Sequence, residues 1–249
     1  ETYHAMGYDR LAASKTYEVN SRFDWKTMWS LMPMNALPGN KNNDIHFRFS
    51  TGTFDGQVTF LEGRKTGKTY GMQAWQGYQI TKDGTLKTND SKRYGWGLPT
   101  YHYVIEGPLR LLGADIVRYA GETTFEGQTY DLVYATWGED APHKEHDQWL
   151  VYINRETKMT DLTEVTINDF FIPTPEGMKA ATIRFDRAVT SIGARLPSLV
   201  TIQLGKPKAL KKHVYTFSLT DYRFDSFPLV ELHPIEGLEG GTDRKPESK

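Results

Sequence analysis

Short apolar runs separated by turn signals recur along most of this chain. Between Ile183 and Asp186, apolar and charged side chains alternate, which is typical of a strand with one buried and one solvated face. Turn signals such as Asp55-Gly56 and Gln76-Gly77 separate the runs at the short spacing of all-β proteins. The pattern predicts strands at residues 16–23, 45–50, 57–62, 69–75, 78–81, 128–137, 147–154, 160–167, 181–191, 198–204 and 213–224.

Two apolar stripes at helical spacing interrupt the strands. The first follows Asp24, a residue type that favours the N-cap position, and we expect its helix to end at Pro33. Its members are Trp25, Met28, Trp29 and Met32. The second runs from near Pro99 to Gly113, and we expect Gly107-Pro108 to kink or divide that helix. Its members are Tyr101, Ile105, Leu109 and Leu112.

Each stripe must be buried against another surface, and a sheet face is the surface that this chain offers. If both helices cover the concave face of a curved sheet, the space between can hold an acyl chain or a similar apolar ligand. The candidate cavity-lining residues are therefore Trp25, Met28, Trp29, Met32, Tyr101, Ile105, Leu109 and Leu112. The stripes can equally complete a filled core, and the residues alone leave both interpretations open.

Composition excludes several classes of protein. The chain has 249 residues, and its 30 basic and 31 acidic side chains give a formal net charge of −1. This balance argues against nucleic-acid binding, which needs a net basic surface. The chain has no cysteine, which excludes disulfides, thiolate nucleophiles and cysteine-ligated metals. No apolar run has the length of a membrane-spanning helix.

The sequence contains one candidate group of catalytic or metal-binding side chains. The sequence has neither a Gly-x-Ser-x-Gly nucleophile motif nor a phosphate-binding glycine loop, so we expect no catalytic residue and no cofactor. His143, His146 and Asp147 could share a metal ion if their segment is helical. That segment is polar and lies between two predicted strands, where a solvated cluster is the more common arrangement. A metal-dependent hydrolase built on these residues is therefore a secondary hypothesis.

The chain reads as one domain over residues 1–236, because no linker divides the predicted sheet. Residues 237–249 are rich in glycine and charge, and we expect them to form a disordered tail. The first residues are Glu-Thr-Tyr-His, with no Met and no signal segment, which is consistent with a mature or trimmed form.

Part of the sequence resembles a known superfamily. It contains a proline-bounded aromatic helix (Leu-Pro-Thr-Tyr-His-Tyr at 98–103, continued at 107–112), a strand sequence at 121–133 and a hairpin sequence at 147–157. These segments are similar to bacterial secreted proteins and lipoproteins related to the lipoprotein-carrier superfamily, which includes LolA-, LolB- and LppX-like proteins. The similarity covers residues 98–170, and the rest of the chain agrees only in the order of its elements.

The resemblance implies an incomplete antiparallel β-barrel of about eleven strands whose concave side is covered by helices. It also implies an exported, periplasmic or cell-envelope location and a cavity for a lipid or an acylated protein. We therefore expect a mainly β, curved half-barrel that carries a hydrophobic ligand between sheet and helices, with a lipoprotein or the membrane surface as a further partner. The alternatives are the metal-dependent hydrolase and a non-catalytic structural or protein-interaction module.

Overall fold

A computed structural model describes residues 1–26, 35, 37, 39–140, 143–170, 172–175, 178–207 and 213–241. Thirteen β-strands lie within these residues. They are β1 (Thr16–Trp25), β2 (Asp44–Ser50), β3 (Gly56–Phe60), β4 (Thr69–Gln73), β5 (Gln76–Ile80), β6 (Leu86–Thr88), β7 (Ile116–Phe125), β8 (Gln128–Thr136), β9 (Trp149–Asn154), β10 (Thr160–Thr166), β11 (Ala180–Val189), β12 (Arg195–Leu204) and β13 (Tyr215–Phe224).

The strands form a single antiparallel sheet in the order β6-β5-β4-β3-β2-β1-β13-β12-β11-β10-β9-β8-β7. Nearly every strand pairs with its neighbours in sequence, and β1 pairs with both β2 and β13. Over the described part of the chain, β6 and β7 are the two edges, so the sheet curves without closing. The predicted fold class, a mainly β, curved and open antiparallel sheet, is confirmed.

Four short helices and two 3₁₀ turns accompany the sheet in the described residues. The helices are α1 (Thr2–Ala5), α2 (Tyr8–Ala13), α3 (Lys92–Glu106) and α4 (Pro108–Leu111), and the 3₁₀ turns are Gly63–Lys65 and Leu229–Leu232. The chain divides between α3 and α4 at Gly107, whose φ of 31° interrupts the helix, as the Gly-Pro pair predicts. Of the helices, α3 is by far the longest, and it lies across the sheet.

Several predicted elements are shifted. Asp24 and Trp25 do not begin a helix: they pair with Thr216 and Tyr215 as the last residues of β1. The other members of the predicted first helical stripe, Met28, Trp29 and Met32, lie outside the described residues. The expected turn at Gln76-Gly77 is instead the start of β5. The expected number of about eleven strands is too low, because β6 and β7 were not predicted.

The inner face of the sheet, defined as the face that α3 contacts, carries the main core. Phe23 of β1 and Phe47 and Phe49 of β2 are fully buried there. The ring of Tyr101 on α3 lies 5.7 Å from that of Phe23 and 5.0 Å from that of Phe47, measured between centroids. Aromatic pairs at such distances are attractive beyond the area that they bury. These contacts hold the middle of α3 against β1 and β2.

A buried ionic network holds the end of the same helix. Glu106 has no exposed surface, and its Oε2 accepts a hydrogen bond from Arg110 Nε at 2.6 Å. Its Oε1 accepts from Tyr17 Oη of β1 at 2.9 Å and lies 2.6 Å from His102 Nδ1. Arg110 also donates to the carbonyl of Thr53 at 2.7 Å. The network therefore joins α3 and α4 to β1 and to the loop after β2.

Burial and charge act in opposite directions on this network. Burial favours the neutral form of Glu106, but Arg110 and His102 outweigh it, so the pKa of the Glu106 carboxyl is lowered. Burial also lowers the pKa of His102, in spite of the nearby Glu106 carboxylate. At neutral pH the network therefore contains a carboxylate, a guanidinium and a neutral imidazole.

The outer face is covered partly by the C-terminal segment, which we define as residues 226–241. The guanidinium of Arg48 on β2 stacks 4.2 Å from the ring of Phe227. Tyr78 of β5 donates to the carbonyl of Leu232 at 3.4 Å. The Tyr78 ring lies directly over Gly71 of β4, where a Cβ would come within 2.1 Å of it, so only glycine fits. The segment thus seals the outer face of β2 to β5.

The other half of the outer face is covered by the β7–β8 hairpin. Tyr130, Tyr152 and Leu162 form a second, small core there, against which Phe125 packs. Both Arg184 terminal nitrogens donate to the Glu126 carboxylate at the hairpin tip, at 2.9 and 3.0 Å. The hairpin is therefore tied down over the outer face of β9 to β11.

Replacing Glu106 with Gln should destabilise the protein by about 3 kcal/mol, because Arg110 would remain buried and charged without its carboxylate. The lowered pKa of Glu106 means that its contribution is complete above the pKa of the unfolded chain and is lost as the pH falls through the folded-state pKa. Urea unfolding at neutral pH measures the loss.

The exposed Glu62, which pairs with Arg22, provides the control. Glu62→Gln should change the free energy of unfolding by less than about 0.5 kcal/mol. Equal losses in the two variants would contradict a structural role for the buried network.

Candidate functional site

A cavity of about 1290 Å³ lies between α3 and the inner face of the sheet. Its floor is aliphatic and is supplied by β10, β11 and β12 and by the residue before β13. The floor residues are Val165, Ala181, Ile183, Ile202, Leu204 and Val214. Small-molecule pockets typically have volumes of about 300–1,000 Å³, so this space exceeds what one compact ligand needs. The side chains of the described residues therefore do not fill the concave face of the sheet.

The two faces of α3 have different roles. Leu98, His102 and Ile105 are fully buried and pack into the core. Trp96, Thr100 and Tyr103 lie on the cavity wall at helical spacing. Tyr101 belongs to both, since it packs on the core and lines the cavity. One stripe of α3 therefore completes the core, and the adjacent stripe forms one wall of the cavity.

A row of aromatic side chains runs along one side of the cavity. We call it the aromatic row and define it as Trp75, Phe54, Tyr103, Trp137 and Trp149. Ring centroids are 5.2 Å apart from Trp75 to Phe54 and again from Phe54 to Tyr103. Tyr103 is in turn 5.5 Å from Trp137 and 5.4 Å from Trp149. The row thus connects the β4–β5 turn, the β2–β3 loop and α3 to β9 and to the residue after β8.

One part of the wall is polar. His146, Asp147 and Asp169 meet there, where the β8–β9 loop approaches the end of β10. The Asp147 carboxylate accepts hydrogen bonds from the backbone N–H groups of Asn168 at 2.6 Å and Asp169 at 3.3 Å. Asp169 Oδ2 accepts from the backbone N–H of Asp147 at 2.9 Å. The cavity therefore presents an apolar floor together with a polar group of side chains, as an amphipathic ligand requires.

The Asp147 carboxyl is unusual in its acidity. Burial, with a smaller contribution from the neighbouring Asp169 charge, raises its pKa to about 7, against the lowering effect of the Asn168 and Asp169 N–H groups. A carboxyl with this pKa changes charge near neutral pH. The polar part of the wall therefore carries a pH-dependent charge.

The structure separates the eight residues expected to line a cavity. Trp25 and Tyr101 do lie on the cavity wall. Ile105 is fully buried in the core, Leu109 packs against the core, and Leu112 is 61% exposed, so none of these three lines the cavity. They fall on the helix stripe that faces the core or beyond its end. Met28, Trp29 and Met32 lie outside the described residues.

The sequence prediction missed the aromatic row. It also missed Trp96, which lines the cavity but is not part of the row: the helix was expected to begin near Pro99, although Trp96 and Tyr103 are two turns apart on it. Trp149 could have been assigned to the inner face, since it alternates with Val151 along β9. Trp75 carries no such signal, because its position depends on the turn that holds it.

The three candidate metal ligands do not converge. His143 Nε2 lies 3.3 Å from the Thr136 hydroxyl, and the Asp147 carboxylate is occupied by backbone N–H groups. His146 Nδ1 lies 3.6 Å from Asp169. Across the described ranges, no group of three or more His, Cys, Asp or Glu residues is placed to hold a metal ion. The described residues therefore provide no geometry that supports the metal-dependent hydrolase.

No protein-family model matches the sequence, and no curated protein matches it either. Solved structures do share its architecture. A LolA superfamily protein from Nitrosomonas europaea has a TM-score of 0.55 at 10% sequence identity, covering 91% of this chain and 94% of that one. A domain assigned to an outer membrane lipoprotein-sorting protein from Vibrio parahaemolyticus has a TM-score of 0.53 at 9% identity, covering 91% and 94%.

A third structure, a DUF1329 family protein from Desulfovibrio piger, has a TM-score of 0.51 at 7% identity and covers 96% of this chain and 98% of that one. The three matches span nearly the whole of both chains. They confirm the resemblance to the lipoprotein-carrier superfamily at the level of the fold. Among the helices of the described residues, none is both long enough and apolar enough to cross a membrane.

Replacing Asp147 with Asn should change how stability depends on pH. The folded-state pKa of about 7 lies above the reference value of 3.8, so the folded protein binds a proton that the unfolded chain has released. The contribution of Asp147 to the free energy of unfolding should therefore fall across this window as the pH rises, by about 1.4 kcal/mol for each unit of pKa difference. Asp147→Asn should remove this decline, as measured by urea unfolding at pH 4 to 8.

The exposed Asp186→Asn is the control for removing an aspartate charge. Its stability should follow the wild type at every pH. Parallel curves for the wild type and Asp147→Asn would show that burial does not raise the pKa of this carboxyl.

Proposed function

We propose that this protein binds an amphipathic ligand with one or more acyl chains and carries it in the cell envelope. The observation that carries the proposal is the cavity of about 1290 Å³ between α3 and the concave sheet. A sheet that only provided a scaffold would be expected to fill its inner face with side chains, because protein interiors are close-packed. The large empty volume favours a bound molecule over a filled core.

The wall chemistry supports an acyl ligand. The aliphatic floor and the aromatic row present apolar surface from several strands and from α3. Transfer of each methylene group from water to such a surface contributes about 0.8 kcal/mol, so affinity grows with chain length. The polar residues His146, Asp147 and Asp169 leave a place for a head group or for water near the ligand's polar end.

The location and partners of the carrier rest on the shared fold. One structure with this fold is described as belonging to outer membrane lipoprotein sorting, and another to the LolA superfamily. This likeness supports an exported protein of the periplasm or cell envelope whose ligand is a lipid or an acylated protein. A hydrophobic small molecule with the shape of an acyl chain would occupy the same cavity. A purely structural or protein-interaction role gains less support, because it gives no reason for the empty space.

Lipid extraction tests the proposal directly. Protein purified from a bacterial envelope fraction without detergent should release acyl lipid into organic solvent, at about one molecule per protein or less, as measured by mass spectrometry. A detergent-washed, refolded sample should then bind a dansyl-labelled undecanoic acid with increased fluorescence. The absence of both co-purified lipid and probe binding would contradict a carrier function.

Filling the cavity tests where the ligand binds. Ala181 of β11 lies on the floor and is buried, so Ala181→Phe should occupy the space and weaken probe binding about tenfold or more, a loss of about 1.4 kcal/mol. The fold should tolerate the larger ring because it enters empty volume. Ala188→Phe makes the same change at an exposed position of the same strand and should bind normally. Equal affinities in the two variants would place the ligand elsewhere.

A further inference from the structure

The β4–β5 turn is held in a conformation that its sequence does not favour. Ala74 and Trp75 connect the strands with φ angles of 48° and 66°. Two-residue hairpin turns with left-handed backbone normally use Asn-Gly or Gly-Gly, because a Cβ is unfavourable there. The indole N–H of Trp75 is also buried, with no hydrogen-bond acceptor among the described residues. The left-handed backbone and the indole N–H without an acceptor are both unfavourable, so the turn must be held by contacts with other parts of the chain.

This conformation places Trp75 at the end of the aromatic row. Its ring lines the cavity and lies 5.2 Å from the ring of Phe54. A relaxed turn would carry the Trp75 side chain in another direction, because the side-chain direction follows the backbone dihedral angles. Residues held in unfavourable backbone conformations concentrate at ligand-binding and switch regions. The restraint that holds this turn therefore also determines the shape of the cavity wall.

The restraint is a single carboxylate. Asp55 is 1% exposed, and its Oδ1 accepts a hydrogen bond from the backbone N–H of Ala74 at 2.7 Å. Its Oδ2 accepts from the backbone N–H of Gly241 at 2.6 Å and lies 2.8 Å from His233 Nε2. Asp55 thus connects the turn on the cavity wall with the C-terminal segment on the outer face.

The C-terminal segment fits closely around this carboxylate. A Cβ at position 241 would lie 2.3 Å from Asp55 Oδ1 and 3.1 Å from the Ala74 Cα, so only glycine allows this approach. The buried Gln73 holds the same segment: it accepts from the N–H of Ile235 at 2.9 Å and donates to the carbonyl of Leu238 at 2.6 Å. Residues 237–241, expected to begin a disordered tail, are docked here, and 242–249 lie outside the described residues.

We infer that Asp55 and the docked C-terminal segment position Trp75 in the cavity wall, so that release of the segment loosens the wall and speeds ligand exchange. The inference deepens the proposed function and rests on it for the ligand. The segment completes the hydrogen bonding of Asp55; without it, the carboxylate loses two of its three partners and holds the unfavourable turn less firmly. The C-terminal segment is then the element through which ligand release can be controlled.

Gly241→Ala in the full-length protein tests the connection without touching the cavity. The added methyl group should displace residue 241 from Asp55. Gly52→Ala is the matched control, because a Cβ at position 52 meets nothing within 4 Å. Hydrogen exchange of the Ala74 amide, measured by NMR in the ligand-free protein, should be about tenfold faster in Gly241→Ala, as expected when a charge-assisted hydrogen bond is weakened. Gly52→Ala should exchange like the wild type.

The ligand part of the test uses the dansyl-labelled undecanoic acid. Its release, followed by stopped-flow displacement with excess oleate, should be several-fold faster from Gly241→Ala than from the wild type or Gly52→Ala. Thermal unfolding should be nearly unchanged, which distinguishes loosening of the wall from general destabilisation. Asp55→Asn is a second variant: its side-chain amide nitrogen cannot accept the hydrogen bonds that one carboxylate oxygen now accepts, so it should act in the same direction.

The outcomes separate the two ideas. Unchanged Ala74 exchange in both Gly241→Ala and Asp55→Asn would overturn the inference. Faster exchange with unchanged probe release would also overturn it, because the turn would then not control the ligand. If the wild type binds no probe, the proposed function fails, and with it the link to ligand release, while the exchange measurement still decides whether the segment holds the turn.

Discussion

The buried carboxylate of Glu106 fixes the position of α3, and the cavity exists only because α3 is held where it is. Tyr17 donates to this carboxylate from β1, and Arg110 connects it to the carbonyl of Thr53. Replacing a buried ion pair by apolar residues is often neutral or stabilising, so maximal stability does not explain it. The contacts of Glu106 with Tyr17, His102 and Arg110 form together in one placement of the helix, which keeps α3 above the sheet instead of packed into the floor of the cavity.

The outer face of the sheet makes the empty inner face possible. The C-terminal segment covers β2 to β5, and the β7–β8 hairpin covers β9 to β11 through the bidentate pair of Glu126 and Arg184. Both coverings bury aromatic side chains outside the curve, so the sheet has apolar burial on two faces. In a sheet with one covered face, that face must supply all of the hydrophobic stabilisation. Here the outer face supplies part of it, so the inner face needs to bury less apolar surface.

Residue patterns predicted the regular strands well and the irregular ones poorly. β6 was missed because Leu86–Thr88 is short and exposed throughout, so it shows no alternation. β7 was missed because most of Ile116–Phe125 is exposed and an irregularity at Gly121, with a φ of 100°, interrupts its register. The early start of α3 was hidden by Gly95, Gly97 and Pro99, which are poor helix formers. Trp25 was assigned to a helix because the Trp and Met residues that begin with it have helical spacing. In the structure it is the last residue of β1.

The site was harder to predict than the fold because core and cavity use the same residue types. Tyr101 and Ile105 occupy one helix stripe, yet only Tyr101 reaches the cavity. Polar restraints between distant parts of the chain decide which residues line the cavity and which fill the core. Tyr17 and Glu106 are hydrogen-bonded although they are 89 residues apart, and Asp55 and Gly241 although they are 186 residues apart. The i, i+4 spacing of His102, Glu106 and Arg110 was visible in the sequence, but their burial was not. A charged side chain on a helix becomes a buried restraint only when the helix packs on the sheet. The spacing of apolar residues alone therefore cannot reveal the cavity.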